Sequence, residues 1–232
     1  MQFFYCPEIV NGANSLNNEE SIHCIKVLRK NVGDTISLID GIGFFYKAII
    51  LTSSQKKVQF KVQKKWASKF RSYSLHIAIA PTKSNDRFEW FLEKAAEIGV
   101  DEITPILCDH SERKFFKIKR MKKILISATK QSMNGKLPLL HPQTRFEDFL
   151  KQNHSDDCFI AHCSSGTKMS LTSQATTNSL ILIGPEGDFS NNEIEQALSY
   201  NFKPIRLGYS RLRTETAGIV ACHTLSLKYE NC

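Results

Sequence analysis

The spacing of apolar positions along the chain changes near residue 72. Before that point, short runs of period two dominate. TISLI (35–39) and FFYKAII (44–50) flank DGIG at 40–43, an Asp-Gly turn signal of the kind hairpins use. In VQFKV (58–62), Val58, Phe60 and Val62 share one face, and Gln59 and Lys61 the other. KKWASKFRS (64–72) breaks the rhythm with polar and basic residues. A small β domain is therefore expected over residues 1–72, and a second domain over 73–232.

In the second domain, strands alternate with helices. LHIAIA (75–80) predicts a strand. Asp86 with Glu89 resembles a capping box, Phe88, Phe91, Leu92, Ala95 and Ala96 follow helical spacing, and Gly99 supplies the stop. ITPIL (103–107) predicts another strand. A basic helix follows, its apolar stripe made of Ile118, Met121, Leu125 and Ala128. CFIAHC (158–163) and LILIG (180–184) read as short buried strands. Ser190 with Glu193 forms a capping box, and Phe189 staples onto Ile194. IRLG (205–208) is the last strand, and TAGIVACHTLSLKY the last helix. The stretch 164–179 reads as a polar loop. This alternation indicates an α/β domain built on a largely parallel sheet.

Composition narrows the class. A mean hydropathy of −0.27 and 41% hydrophobic residues describe an ordinary soluble protein. No apolar run approaches the roughly 18–20 residues that span a bilayer, and the start, MQFFYCPEIVNGAN, lacks the pattern of a signal peptide. The 7 cysteines contain no CxxC pair, which fits reduced thiols in the cytoplasm. Cys158, His162 and Cys163 lie close in sequence, but neighbours in a strand point to opposite faces, so no metal site is expected. The net charge of +8 is uneven: residues 1–72 hold 11 Lys and Arg against 5 Asp and Glu. RKFFKIKRMKK (113–123) adds a second basic cluster. Such charge calls for a polyanionic partner, nucleic acid first.

Ligands of open α/β sheets bind at the carboxyl ends of the strands. Two unusual segments stand there, GPEG after the strand 180–183 and GYSRLRTET after the strand 205–207. Pro185 offers no N–H, and Glu186 and Asp188 repel anions, so a phosphate cradle is a poor fit. GxxxxGK[ST] and GxGxxG are both absent. An adenine-bearing ligand with positive charge and no phosphate fits better, and S-adenosylmethionine is one.

LILIGPEGDFSNNEIEQA, LGYSRLRTETAGIVA, PTKSNDRFEWFLEKAAEIGVDEITP and HCIKVLRKNVGDTISLIDGIG together resemble the family of 16S ribosomal RNA uracil-N3 methyltransferases, members of the SPOUT superfamily. The similarity spans nearly the whole chain in order. It implies an N-terminal PUA-like β-barrel, a C-terminal α/β domain with a trefoil knot, S-adenosylmethionine as methyl donor, and 16S ribosomal RNA or the small subunit as partner. Carried over, the donor site is expected at Leu182, Ile183, Gly184, Pro185, Glu186, Gly187, Leu207, Gly208, Leu212, Arg213, Thr214 and Thr216. RNA contacts are expected from Lys83, Arg87, Lys94 and Gln131, with Arg29, Lys30, Lys117 and Arg120 as candidate phosphate contacts. Arg213 is the expected stabiliser of charge on a uracil carbonyl. Glu215 or Glu186 is the expected proton acceptor, with the choice left open. The chain departs from the family where Asp188 replaces a usual second glycine, where Tyr209-Ser210 precede the arginine, and where Asn134 replaces a frequent arginine. Two other readings remain: a ribose 2′-hydroxyl methyltransferase of the same superfamily, and a non-catalytic RNA-binding protein.

The last helix is apolar nearly all round, through Ala217, Ile219, Val220, Ala221, Cys222, Leu225 and Leu227. A helix of that kind is buried on more than one side, so a homodimer is expected, with the barrel of one subunit serving the donor site of the other.

Overall fold

The Asp-Gly signal folds as a turn because Asp40 organises it. Its carboxylate accepts from the backbone N–H of Ile42, Gly43 and Phe44 at 2.9, 3.2 and 3.0 Å, and from the Tyr46 hydroxyl at 3.0 Å. The structure is a computed structural model that describes residues 2–69, 71–112, 117–154 and 157–229. The first four residues of the basic run 113–123, and Cys232, lie outside the described residues.

The chain divides into two compact units, residues 1–70 with 126–137, and residues 71–125 with 138–232. In the first, β1 (Phe3–Tyr5), β2 (Thr35–Ile39), β3 (Phe44–Thr52) and β4 (Gln59–Ala67) form one sheet in that order. β1 runs parallel to β2, and the other pairs are antiparallel. Phe4, Leu38, Ala48, Ile50, Val58 and Phe60 pack on one face with the short helix α1 (Asn18–Ile22), which Asn17 caps by accepting from Glu20 N at 2.8 Å. Phe3, Ile39 and Phe45 cluster separately with Trp66. β4 runs on through KKWA, where the sequence pattern suggested a break. As an edge strand it carries Lys61, Lys64 and Lys65 exposed without burying charge. For the same reason Val62 is 40% exposed rather than inward.

The second unit carries β5 (Ser74–Ile79), β6 (Glu102–Leu107), β7 (Leu139–Leu140), β8 (Thr144–Arg145), β9 (Asp157–Ala161), β10 (Met169–Ser170), β11 (Asn178–Ile183) and β12 (Lys203–Arg206). Every pairing among them is parallel, in the order β10-β12-β9-β11-β5-β6-β7, with β8 also on β6. From β9 the chain moves out to the edge as β10, returns as β11 between β9 and β5, then inserts β12 between β10 and β9. This order sets the carboxyl ends of β9, β11 and β12 side by side.

Helices cover both faces, as an all-parallel sheet requires. α2 (Asn85–Ile98) packs on α7 (Thr214–Tyr229), and α7 also touches β5 and β11. Against the other face, α4 (Phe146–Leu150) and α6 (Asn191–Ser199) bury Phe146, Phe149, Ile194 and Ala197 over Ala78, Leu180 and Leu182. Of the stripe read from sequence, α3 (Ile118–Gln131) buries Met121, Leu125 and Ala128, while Ile118 at its start is half-buried. The α6 capping box forms: Ser190 accepts from Glu193 N at 3.2 Å and Ser190 N donates to Glu193 at 2.9 Å. At α2 the cap is Ser84 rather than Asp86, which lies inside the first turn. The stretch 164–179 also holds more than a loop. Ser170 caps the short α5 (Leu171–Gln174), and Leu171 is buried.

Gly218 lies on the face of α7 that packs against α2. A Cβ there would lie 2.5 Å from the Phe91 ring and 3.1 Å from Ile79. Phe91 is wholly buried and cannot swing away. Gly218→Ala is therefore expected to destabilise the fold: overpacking costs about 1–3 kcal/mol and outweighs the ~1 kcal/mol that alanine gains in helix propensity. Denaturant unfolding measures it, and a variant as stable as the parent would show that the two helices can part.

Candidate active site

The side-by-side strand ends open into a cavity of about 810 Å³. Ala161, His162 and Cys163 reach it from β9, Ile183 to Glu186 from β11, and Ile205 to Thr214 from β12 and the loop beyond. Lys168, Asp188 and Ala217 complete the wall. Of the donor residues expected from sequence, Ile183, Gly184, Pro185, Glu186, Leu207, Gly208, Leu212, Arg213 and Thr214 line it. Three do not. Leu182 is wholly buried in the sheet core, and Thr216 lies in the first turn of α7, off the wall. Gly187 backs onto another loop, where an added Cβ would meet His110 at 3.0 Å.

Loops from distant parts of the chain are tied together here. The Thr214 hydroxyl donates to Gly184 O at 3.0 Å, joining the start of α7 to the loop after β11. Cys163 N donates to Asp188 Oδ2 at 2.7 Å, joining the loop after β9 to the same turn. Asp188 has φ of 65°, the left-handed region in which glycine is easiest and aspartate is tolerated. His110 Nδ1 donates to Asp188 O at 2.9 Å, and Lys83 N donates to Glu186 Oε1 at 2.9 Å. Lys168 Nζ donates to the carbonyls of His162, at 2.9 Å, and Ser164.

The three catalytic candidates separate. Arg213 is exposed on the cavity wall, with no side-chain partner among the described residues. Glu186 lines the cavity with one oxygen spent on Lys83 N. Glu215 is buried and off the wall, 3.8 Å from Arg87 Nε, and its Oε2 has no hydrogen-bond partner among the described residues.

The expected RNA contacts are all at least partly exposed, but several are already paired. Lys83 meets Glu112 at 2.7 Å, Arg120 meets Glu89 at 2.6 Å, and Lys94 meets Glu93 and Glu97 at 2.7 and 3.0 Å. Those carboxylates hold the Lys83 and Lys94 ammonium groups above the usual lysine range. Exposed pairs of this kind are weak and can exchange for phosphate. Arg29, Gln131 and Lys117 are exposed and Lys30 is half-buried.

The wall residues that sequence reading did not assign to the site include Tyr209, Lys168 and His162. Tyr209 is 95% exposed on the rim, its ring 4.8 Å from the Arg206 guanidinium carbon. Its position inside GYSRLR was the available signal, since an aromatic in a polar loop rarely stays exposed without use. Lys168 stands in the polar stretch 164–179, where nothing marked it out from its neighbours. His162 was weighed only as a metal ligand. Burial, then Lys168, pushes its imidazole below the usual histidine range, and its buried Nδ1 lacks a partner among the described residues. A bound ligand can satisfy that nitrogen.

Comparison with known proteins places this geometry. The RNA methyltransferase domain family matches residues 69–226, and the RNA methyltransferase PUA domain matches residues 16–63. Ribosomal RNA small subunit methyltransferase E of Buchnera aphidicola (subsp. Acyrthosiphon pisum) is 32% identical over 222 residues, covering 92% of this chain and 87% of the relative. A solved structure from Porphyromonas gingivalis, titled a "probable rRNA-methyltransferase", has TM-score 0.91 and 38% identity over 99% of both chains. A Legionella pneumophila structure in complex with the bound cofactor SAM has TM-score 0.86 and 26% identity, over 98% of this chain and 97% of that one. With its PUA-like first domain and parallel α/β second domain, the chain belongs to the RNA methyltransferase family that includes ribosomal RNA small subunit methyltransferase E.

Proposed function

We propose that this chain uses S-adenosylmethionine to methylate N3 of a uridine in 16S ribosomal RNA, in the cytoplasm where small subunits are assembled. The cavity at the ends of β9, β11 and β12 carries this reading. Its volume lies within the roughly 300–1,000 Å³ typical of small-ligand sites. Ile183, Ile205, Leu207 and Leu212 offer apolar wall for an adenine, and His162 Nδ1 offers an unused polar atom. A Cβ at Gly208 would meet nothing within 4 Å, which leaves the backbone there open to close approach. Bound in this cavity, S-adenosylmethionine supplies a methyl group on an electrophilic sulfonium.

The chain's own groups then act on the uridine. Arg213, without a side-chain partner among the described residues, stabilises negative charge on a uracil carbonyl as N3 loses its proton. Glu186 is the wall carboxylate that accepts this proton, while Glu215 holds Arg87 and favours the helix dipole. Tyr209 presents a ring face on which the base stacks. RNA backbone is drawn by the basic faces, including Lys47 directly opposite Lys64 on β3 and β4. Like charges so placed cost stability, a cost that a polyanion removes.

The subunits pair through α7. Gly218, Ala221, Cys222 and Leu225 are buried within the unit, whereas Ala217, Val220, Thr224 and Leu227 form a second stripe that is less covered. Leu227 is 57% exposed, and the Thr224 hydroxyl is bonded back to Val220 O at 2.8 Å, which lowers the polarity of the stripe. Ala217 also lines the cavity, so this interface adjoins the active site.

RNA incubated with labelled S-adenosylmethionine and digested to nucleosides should carry label on uracil N3. Label on ribose, or none, overturns the reading. Arg213→Ala should lower the single-turnover rate about 10²–10³-fold with donor affinity by calorimetry nearly unchanged. Normal turnover at saturating RNA would remove the oxyanion role. Glu186→Gln keeps an oxygen for Lys83 N but cannot take a proton. It should lose about 10²–10⁴-fold in rate, with a flattened pH profile.

Tyr209→Ala should weaken RNA binding by about 1–3 kcal/mol, and Tyr209→Trp should restore it. A loss of donor affinity instead would assign Tyr209 to the donor. By sedimentation at micromolar concentration the chain should be a dimer and Leu227→Glu a monomer. A monomeric parent protein refutes the assembly, and a dimeric Leu227→Glu variant moves the interface.

A further inference from the structure

We propose that His76, Glu102 and His141 form a binding site for a divalent cation of the zinc class, separate from the cavity. Three neighbouring parallel strands assemble it. His76 on β5 is the register partner of Glu102, the first residue of β6. Glu102 in turn is the register partner of Leu139 on β7, and His141 follows β7 directly. The backbone N–H of His141 donates to Ile103 O at 2.9 Å, which holds that residue beside the sheet. Residues 26 and 39 positions apart are thereby brought together, a grouping that no local spacing in the sequence announces.

Each of the three residues offers a donor atom within 4.8 Å of the others. His141 Nε2 is 2.6 Å from Glu102 Oε2, and the two imidazole centroids are 5.4 Å apart. Zinc–donor bonds of about 2.0–2.2 Å in a tetrahedron put donor atoms about 3.4 Å apart, so small side-chain movements complete the set. His76 is already oriented. Its Nε2 is 2.8 Å from the hydroxyl of buried Thr104, and Phe149 meets its ring edge-on at 5.8 Å. A hydrogen bond at the second ring nitrogen is how proteins orient ligating histidines, and Thr104 supplies one here.

The donor chemistry favours zinc over magnesium or calcium. Two imidazoles and one carboxylate form a borderline nitrogen–oxygen set, whereas the harder cations take oxygen alone. Glu102 and His141 are 41% and 32% exposed, which gives an ion an entry path and lets water fill the remaining coordination. The site lies about three residues, roughly 10 Å at 3.3 Å per residue, before the carboxyl end of β5. It therefore stands apart from methyl transfer, and its effect is to clasp β5, β6 and the segment after β7.

The test uses the full chain stripped with chelator and titrated with cobalt(II), a spectroscopic stand-in for zinc. The expected result is saturable binding of one ion per chain, with a d–d absorption band and a thermal midpoint that rises with metal concentration. His141→Ala, at a half-exposed position, should abolish both signals while the chain stays folded, and Glu102→Gln should do the same. The proposal is overturned by the absence of saturable binding, which would leave a hydrogen-bonded cluster only. It is overturned equally by binding that survives both variants, or by a sulfur-to-cobalt charge-transfer band that puts the ion on a cysteine. None of these readouts depends on methyl transfer.

Discussion

The hydrogen bond from Thr214 to the Gly184 carbonyl is the interaction on which the site depends. Thr214 is buried at the head of α7, and Gly184 is the first residue past β11. Their contact holds the GPEG turn against the LRTET segment, so two loops that are distant in sequence become adjoining walls of one cavity. Left without the hydroxyl, the buried carbonyl would lose a partner at a cost of about 1–3 kcal/mol, and the walls would lose their registration. Position matters more than strength here. A group-transfer site gains most from holding its reactants in a productive geometry.

Strand order supplies what that bond then fixes. Insertion of β12 between β10 and β9, and of β11 between β9 and β5, places three carboxyl ends together where a simple sequential sheet would separate them. The glycines and the proline that stop these strands so abruptly follow from the same arrangement, since backbone that lines a ligand cavity must bend away before it clashes. The opposite side of the argument holds at the amino-terminal part of β5 and β6. There the parallel register itself, rather than loops, aligns His76 with Glu102.

Much of this was legible in the sequence, for physical reasons that differ by element. The strand 35–39, the capping box at Ser190 and the Gly99 stop are local devices, and local devices can be read from neighbouring residues. Nine of the wall residues between Ile183 and Thr214 were legible because they fall in two short stretches of the chain, 183–186 and 207–214. What escaped is non-local. No periodicity brings 126–137 into the first unit, where Lys130 reaches Glu20 at 2.6 Å. Glu215, one of two candidate proton acceptors from sequence, is placed by the fold in a way its neighbours in sequence do not show. A carboxylate beside reactive residues in sequence looks catalytic, yet the helical turn carries it away from the wall to Arg87.

Asp188 shows how a departure from a family pattern can preserve the structure that the pattern serves. A second glycine is usual at this position, and the reason is visible in the φ of 65°. The left-handed conformation costs an L-residue about 1–2 kcal/mol, and aspartate is among the residues that bear it best. Asp188 also returns something that glycine cannot. Its two carboxylate oxygens accept from Phe189 N at 2.9 Å and from Cys163 N at 2.7 Å. Hydrogen bonds to a charged acceptor contribute about 1.5–3 kcal/mol each, enough to offset the backbone strain. The turn keeps its shape, and the loop after β9 gains a tether to the cavity wall. The constraint at this position is therefore conformational rather than chemical, and the carboxylate satisfies it by bonding to the backbone it bends.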